Sequence, residues 1–118
     1  MDKKLSELSP EELTRLPRIS NRNWIGEEKI YLHLYNSKKM NWYLAEYDSI
    51  SRKFFGFSEN RSDGITWGEF YLDDLLMYAK KGSAWEISSN SNWKPVYSKE
   101  IPSLQGYIGM IISLPDIV

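Results

Sequence analysis

Residues 40–57 read "MNWYLAEYDSISRKFFGF", and this stretch decides the fold. It carries six aromatic side chains in two runs, which flank the short polar connection "SISR". Aromatic residues favour β-strands, and small polar residues between two such runs favour a turn. The stretch therefore predicts two neighbouring antiparallel strands, "NWYLAEYD" (41–48) and "KFFGFSE" (53–59). Because side chains alternate along a strand, the first strand should carry two sets of residues on opposite faces: Trp42, Leu44 and Glu46 against Tyr43, Ala45 and Tyr47.

Further strand-like runs lie on both sides of this stretch. Upstream, "KIYLHLYN" (29–36) alternates in the same way and leads into the turn "NSKKM". Downstream, "ITWGEFYL" (65–72) follows the loop "NRSDG". The run "WKPVYS" (93–98) predicts a short edge strand, because its proline cannot donate a hydrogen bond to a neighbouring strand. Residues 18–28 are polar and predict a loop.

Two segments predict short helices. In "LSPEELTRLP" (8–17), Ser9 is placed to cap the helix, and Glu12 stands three residues later to complete a capping box. In "LDDLLMYAKKG" (72–82), the apolar residues follow helical spacing, aspartates lie in the first turn and lysines in the last. Gly82 then follows as the expected residue just beyond the helix end.

This order of elements predicts an α+β fold. Its core is an antiparallel sheet of about four to five strands arranged as a meander, with one or two short helices packed on one face. The length of 118 residues suits a single domain spanning residues 1–118. The apolar C-terminal segment is expected to pack back on the sheet.

The aromatic residues of the sheet allow two interpretations. Only one face can meet the two helices, so the other should keep rings partly exposed unless something covers it. The rings are then either hydrophobic core or part of a binding surface. Gly68 is predicted to let a ring from the "KFFGF" strand lie flat on its backbone, with Phe70 facing the helices. The candidate binding face consists of Trp42, Tyr43, Glu46, Asp48, Trp67 and Glu69.

Composition excludes several classes of protein. The net charge is −1, without the basic excess typical of non-specific nucleic-acid binding. Cysteine is absent, which excludes disulfides and thiolate metal sites. The polar start "MDKKLSELSPEE" is unlike a signal peptide, and the longest apolar stretch is shorter than a membrane helix. A cytoplasmic protein with no membrane association is therefore expected.

Catalytic patterns are sparse. Glu46, Asp48 and Glu69 can form an acidic cluster on neighbouring strands, and such clusters do acid–base work or hold divalent cations. The structural alternative is that they are solvated strand residues and that Asp48 caps a turn. His33 is the sole histidine and lies mid-strand, where a structural role is expected. With no nucleophile elbow and no phosphate-binding loop, no cofactor, metal or catalytic residue is predicted.

Basic residues concentrate at the connections between strands. Lys38 and Lys39 lie at the tip of the first hairpin, and Arg52 and Lys53 lie at the next connection. Basic loops beside exposed aromatic rings can hold single-stranded nucleic acid. The structural alternative is a solubilising surface, in which lysine also guards the sheet edges.

The middle of the chain also carries a recurrent pattern of aromatic residues, glycines and acids. Residues 13–76 contain its elements: Trp42, Glu46, Tyr47 and Asp48; Phe54, Phe55 and Gly56; Gly68, Phe70, Leu72, Asp74 and Leu75. This pattern resembles the small bacterial and phage proteins grouped as domain of unknown function 2958, which are found on mobile elements. The last third departs from it, since Asn92 stands where that family has an aspartate. The resemblance implies a fold and a genetic context, and no mechanism.

These observations favour a non-enzymatic accessory protein of a phage, plasmid or integrated mobile element. It would act by protein–protein binding, and inhibition of a host defence system is one concrete form of that action. One alternative is a single-stranded nucleic-acid-binding module that uses Trp42, Tyr43 or Phe54 for aromatic stacking together with the basic loops. A second is a metal-dependent hydrolase or nuclease that uses the acidic cluster.

Overall fold

The computed structural model describes residues 2–18, 28–62 and 64–113. Except at its two ends, the loop predicted for residues 18–28 lies outside this range. The described strands are β1 (Lys29–Ile30), β2 (Leu32–Tyr35), β3 (Asn41–Asp48), β4 (Lys53–Asn60), β5 (Gly64–Tyr71), β6 (Ser88–Ser89) and β7 (Val96–Tyr97). The described α-helices are α1 (Pro10–Leu13), α2 (Leu72–Ala79) and α3 (Pro102–Ser113), and 3-10 turns lie at Leu5–Glu7, Ser83–Trp85 and Ser98–Glu100.

The main sheet has five strands in the order β5–β4–β3–β2–β6, and its pairs are antiparallel. Strands β2 to β5 follow one another as a meander, so the predicted α+β fold is confirmed. The stretch "KIYLHLYN" forms two strands rather than one, because β1 pairs with β7 in a separate two-stranded ribbon. The predicted edge strand in "WKPVYS" therefore belongs to that ribbon, and β6 becomes the edge of the main sheet.

The turn between β2 and β3 is organised by Asn36, which is buried. Its side-chain oxygen accepts hydrogen bonds from the amides of Lys38 at 3.0 Å and Met40 at 3.1 Å. Lys39 adopts a left-handed backbone with φ 60°. A left-handed residue at the end of a short loop is a common hairpin geometry, and glycine is the usual residue there. The turn therefore fixes where Lys38 and Lys39 stand.

The alternation predicted for β3 breaks at a β-bulge. The register shifts between Leu44 and Glu46, so that Ala45 is an extra residue with no partner on β4. An extra residue in a strand places each later side chain on the opposite face of the sheet from the one that simple alternation predicts. Tyr47 therefore packs in the same cluster as Trp42 and Leu44, and its predicted placement on the opposite face is wrong.

One face of the sheet is covered by α1 and α2, as predicted. Phe70, Leu72, Leu75 and Leu76 all belong to the cluster on this face, which confirms the predicted direction of Phe70. Helix α1 starts with the predicted capping box, in which the Ser9 hydroxyl accepts from the amide of Glu12. The buried residues of this first cluster are Leu5, Leu13, Leu16, Leu34, Trp42, Leu44, Tyr47, Phe54, Leu72, Leu75 and Ile87.

The opposite face is covered as well. The apolar C-terminal segment packs back on the sheet as predicted, and it does so as helix α3, with Leu104 and Ile108 against Tyr43 and Phe57. Because α3 covers this face, its central rings Tyr43 and Phe57 are buried rather than partly exposed. The buried residues of this second cluster are Ile30, Tyr43, Ala45, Phe57, Ile101, Leu104 and Ile108.

Helix α2 ends without the predicted glycine cap. The amides of Lys80 and Lys81 donate to the carbonyls of Met77 and Tyr78 at 3.1 and 3.2 Å, which tightens the last turn. Such bonds satisfy the final carbonyls without a left-handed residue. Lys80 is the helix cap, and Gly82 lies beyond it in an extended conformation.

The ring predicted to lie on Gly68 is not there. A side-chain carbon built at Gly68 would meet no atom within 4 Å. The crowded glycine is Gly56, which lies directly opposite Gly68 on β4. The atoms around Gly56 make its replacement one of the two substitutions expected to destabilise this protein most.

The longest helix among the described residues, α3, has 12 residues. None of the described helices has both the length and the apolarity to span a membrane.

Asp2 ties the N-terminal segment to the sheet edge. Its carboxylate accepts hydrogen bonds from the Tyr35 hydroxyl, and from the amide and hydroxyl of Ser91 at 2.9 and 2.7 Å. These bonds, led by that from Tyr35, lower the pKa of Asp2 from 3.8 to about 2. A lowered pKa in the folded state stabilises the fold above the unfolded pKa. This contribution should be lost as the pH falls from about 4 to about 2.

We expect Asp2→Asn to flatten the pH dependence of the unfolding midpoint within that window. The reason is that asparagine keeps the shape of the side chain and cannot titrate. Thermal unfolding measured across the acidic range provides the readout. Glu11→Gln is the matched control, since the Glu11 side chain makes no hydrogen bond with the described residues, and it should keep the wild-type slope. An unchanged slope in Asp2→Asn would show that this anchor does not contribute to acid sensitivity.

Candidate functional site

Two of the aromatic residues predicted for a binding face lie in the core. Trp42 is 4% exposed in the first cluster, and Tyr43 is 7% exposed in the second. Phe54, a proposed stacking platform for bases, is 0% exposed. The expectation that Trp42 and Tyr43 present a binding surface is corrected, because helices cover both faces of the sheet. Burial supports the core interpretation of these rings.

Trp67 takes the predicted face and is only partly buried there. It packs against the second cluster, with its ring centroid 4.5 Å from that of Phe55 and 4.4 Å from that of Phe57. Glu69 is exposed on the same strand, and its carboxylate lies 2.6 Å from the Lys53 ammonium. These two members of the predicted face therefore remain accessible at the β5 edge.

The three acids do not form a cluster. Asp48 accepts hydrogen bonds from the Ser51 hydroxyl at 2.7 Å and the Ile50 amide at 3.0 Å, and these lower the pKa of Asp48. It caps a turn, as the structural alternative predicted. Glu46 and Glu69 lie on strands β3 and β5, with Phe55 paired to both between them. Within residues 2–18, 28–62 and 64–113, no three metal-ligating side chains converge.

The predicted basic loops differ in their surroundings. Arg52 forms an ion pair with Asp73 at 2.9 Å, and this partner raises the pKa of Arg52. Lys53 pairs with Glu69, and that bond raises the pKa of Lys53. The charges of this loop are thus largely balanced by acids nearby. Lys38 and Lys39, at the other hairpin tip, form no ion pair with any described residue.

Lys38 meets an aromatic group from a distant part of the chain. Its ammonium lies 4.9 Å from the centroid of the Trp85 ring. The ammonium of Lys81 lies 5.2 Å from the same ring and 4.6 Å from the ring of Tyr78. All three distances suit cation–π contact. We define the lysine–tryptophan patch as Lys38, Lys39, Lys80, Lys81, Tyr78 and Trp85.

Contacts beneath the lysine–tryptophan patch hold its rings in place. Tyr78 and Trp85 meet edge to face, with centroids 4.9 Å apart. The Tyr78 hydroxyl donates to the sulfur of Met40 at 3.1 Å, which joins α2 to the start of β3. The same sulfur accepts from the Asn36 side-chain amide at 3.6 Å. The hairpin tip, the end of α2 and the following 3-10 turn therefore meet at one place.

The patch carries four exposed lysines and no acid of its own. Glu86 follows Trp85 directly, and its carboxylate is 3.4 Å from the ammonium of Lys4, outside the patch. Met77, 70% exposed, stands three and four residues before Lys80 and Lys81. Met77 lies in the last turn of α2, and Lys80 and Lys81 follow the end of that helix. The patch combines positive charge with half-buried aromatic rings, and the exposed thioether of Met77 is next to Tyr78 in sequence.

Sequence reasoning found only part of this surface. It singled out Lys38 and Lys39 but assigned Lys80 and Lys81 solely to the end of a helix. Trp85 received no role. The available local signal was the spacing of Tyr78 and Lys81, which places an aromatic ring and an ammonium on one side of a helix. No local signal connects either residue to the β2–β3 turn.

His33 is held in a polar network beneath the second cluster. Its Nε2 lies 2.8 Å from the side-chain oxygen of Asn41, and Asn90 donates to its Nδ1 at 3.2 Å. The imidazole stacks on Tyr43 with centroids 4.9 Å apart. Burial lowers the pKa of His33, which favours the neutral ring that this pattern requires. The structural role predicted for His33 agrees with this placement.

A groove of about 360 Å³ lies between α1 and the β2–β6 edge of the sheet. Leu13, Leu16, Tyr31 and Trp93 line its apolar part, and Lys3 stands at its polar side. Lys3 is bound to Glu12 at 2.8 Å, so this cation is already paired. Arg15, Ser89, Asn90 and Ser91 also line the groove, so it combines apolar surface with polar side chains.

Comparisons of the chain with family models, with curated proteins and with solved structures gave no match. The resemblance of residues 13–76 to the mobile-element family remains a prediction.

Proposed function

We propose that this protein is a non-enzymatic accessory factor that acts by binding another protein, and that the lysine–tryptophan patch is its docking surface. The observation that carries the proposal is the meeting of Lys38 and Lys81 over the Trp85 ring. Two chain segments far apart in sequence converge there on one accessible aromatic residue. Burial alone does not require this arrangement, because both lysines are exposed.

The composition of the lysine–tryptophan patch suits a protein interface. Tryptophan, tyrosine and methionine are enriched in interfaces, and tryptophan and tyrosine recur among the residues that dominate binding energy. Trp85 and Tyr78 are half-buried and fixed by their mutual contact, so little side-chain freedom is lost on binding. Met77, which precedes Tyr78 in the chain, is exposed. A partner can therefore dock without a large rearrangement of this protein.

Lys39 adds support of a different kind. Its left-handed backbone would be adopted more easily by glycine. When a residue other than glycine occupies such a conformation, its side chain is a candidate for a functional role. The role we propose is to add a second positive charge beside Lys38.

The proposed setting is the cytoplasm of a host that carries a phage, plasmid or integrated element, and it rests on the resemblance described above. Inhibition of a host defence system remains one concrete form of the proposal. The stacking alternative is less favoured, since Trp42, Tyr43 and Phe54 are buried. The hydrolase alternative is less favoured because Glu46 and Glu69 are separated by a strand.

The test is affinity capture under native conditions from a lysate of the organism that encodes the protein. We expect the wild-type protein to retain one stoichiometric partner protein. Lys38→Gln/Lys81→Gln should lose most of that partner, since both ammonium groups of the patch are removed. Lys94→Gln/Lys99→Gln is the control with the same change in charge at exposed lysines outside the patch, and it should retain the partner. Capture of no stoichiometric protein by the wild type contradicts the proposal.

A further inference from the structure

The lysine–tryptophan patch has a charge that specifies its partner further. We infer that it binds an acidic segment of the partner protein, whose carboxylates meet the ammonium groups of Lys38 and Lys81. This inference rests on the proposed function and adds the chemistry of the bound segment.

Charge complementarity favours an acidic segment as the occupant of the patch. The whole chain has a net charge of −1, yet the ammonium groups of Lys38 and Lys81 meet over one ring here, and Lys39 and Lys80 are next to them in sequence. Four other basic side chains are paired with acids, in Lys3–Glu12, Lys4–Glu86, Arg52–Asp73 and Lys53–Glu69. The four patch lysines form no ion pair within the described ranges. The positive field of the patch is therefore not neutralised internally, and a carboxylate-rich segment would neutralise it.

The ammonium groups of Lys38 and Lys81 are already positioned. A free lysine loses rotamer entropy when a partner fixes it. The contacts of Lys38 and Lys81 with Trp85 restrict both side chains before any partner arrives. An ammonium over a ring keeps hydrogen-bond donors that point away from it. Those donors are available to carboxylate oxygens.

The aromatic rings of the patch favour an acidic segment over nucleic acid. Binding of single strands depends on aromatic faces that are free to stack with bases. In this surface, lysine ammonium groups lie over the rings of Trp85 and Tyr78. The chain also lacks the overall positive charge that is typical of proteins that bind a phosphate backbone. The exposed Met77, which precedes Tyr78 in the chain, suits an apolar residue among the acids of the segment.

The experiment is fluorescence anisotropy with three probes: a glutamate-rich peptide with one central leucine, the corresponding glutamine peptide, and an oligothymidylate of equal charge to the first. We expect the glutamate peptide to bind, with affinity falling as salt is added. The glutamine peptide should not bind. Lys38→Gln/Lys81→Gln should weaken binding of the glutamate peptide about fivefold. Lys94→Gln/Lys99→Gln should leave it within about twofold.

Several results would overturn the inference. Binding of oligothymidylate at least as tight as that of the glutamate peptide would assign the surface to nucleic acid. Absence of peptide binding at low salt, or full retention of binding by Lys38→Gln/Lys81→Gln, would reject the acidic segment. The melting midpoint of each variant must match that of the wild type. If the glutamate peptide does not bind while affinity capture succeeds, the proposed function stands without this inference. If the peptide binds while affinity capture retains no partner, only the proposed function is rejected.

Discussion

Gly56→Ala is expected to destabilise the fold by about 3 kcal/mol or more, or to prevent folding. A side-chain carbon at Gly56 would lie 2.2 Å from the carbonyl oxygen of Tyr43 and 2.9 Å from the Cα of Leu44. Both atoms belong to the backbone of β3, so no flexible side chain can move aside. The crowding lies at the residue paired with Leu44, next to the bulge at Ala45. Denaturant unfolding measures the effect.

Gly68→Ala is the matched control for this prediction. Gly68 pairs directly with Gly56, and a side-chain carbon there meets nothing within 4 Å. Alanine also has less backbone entropy to lose than glycine, by about 0.5 to 1 kcal/mol. We expect Gly68→Ala to be neutral or slightly stabilising. Equal stability of the two variants would show that the backbone of β3 can shift away from residue 56 at the bulge. The short distance between Gly56 and β3 would then not be a fixed feature of the fold.

Phe54→Ala is expected to cost about 3 to 5 kcal/mol, the range for a fully buried aromatic side chain. Phe54 is 0% exposed and lies in the cluster between the sheet and helices α1 and α2. Its ring centroid is 4.7 Å from that of Tyr47. Removing the ring leaves a cavity beside β4, which is paired on both sides, with β3 and β5. Thermal or denaturant unfolding provides the free energy.

Phe70→Ala is the comparison that tests this reasoning. Phe70 lies directly opposite Phe54 on the edge strand β5 and faces the same cluster. It is only half-buried, so less apolar surface returns to water when the ring is removed. We expect Phe70→Ala to lower the free energy of unfolding clearly less than Phe54→Ala does. A larger cost for Phe70 would mean that the edge of the sheet is better packed than its burial indicates.

Local chemistry made several elements predictable from the sequence. The capping box of Ser9 and Glu12 involves residues three apart, and it formed as predicted. Strand β3 has the predicted bounds, and β4 extends one residue beyond its predicted end. The meander followed from short connections between alternating runs. In each case the deciding interactions span only a few residues, so the sequence by itself determined them.

The tertiary structure alone decided two other features. The bulge at Ala45 reassigns Tyr47, and it arises from pairing with β4 rather than from the residues of β3. Helix α3 covers the second face, which turns Tyr43 from a candidate binding residue into core. The sequence pattern is compatible with either outcome, because alternation fixes only which residues share a face. What covers each face depends on the path of the whole chain.

In the lysine–tryptophan patch, the sequence determined the place of each residue in its own element, and the tertiary structure determined how these residues meet. The sequence determined that Lys38 lies at a hairpin tip and Lys81 near a helix end, since turn and helix signals are local. Their meeting at Trp85 depends on how α2 packs against the sheet, on the Tyr78 hydroxyl bond to Met40 and on the turn held by Asn36. Charge and aromatic character are properties of single residues, whereas a cation held over a ring is a property of the packed chain. A binding surface of this kind therefore exists only in the folded structure.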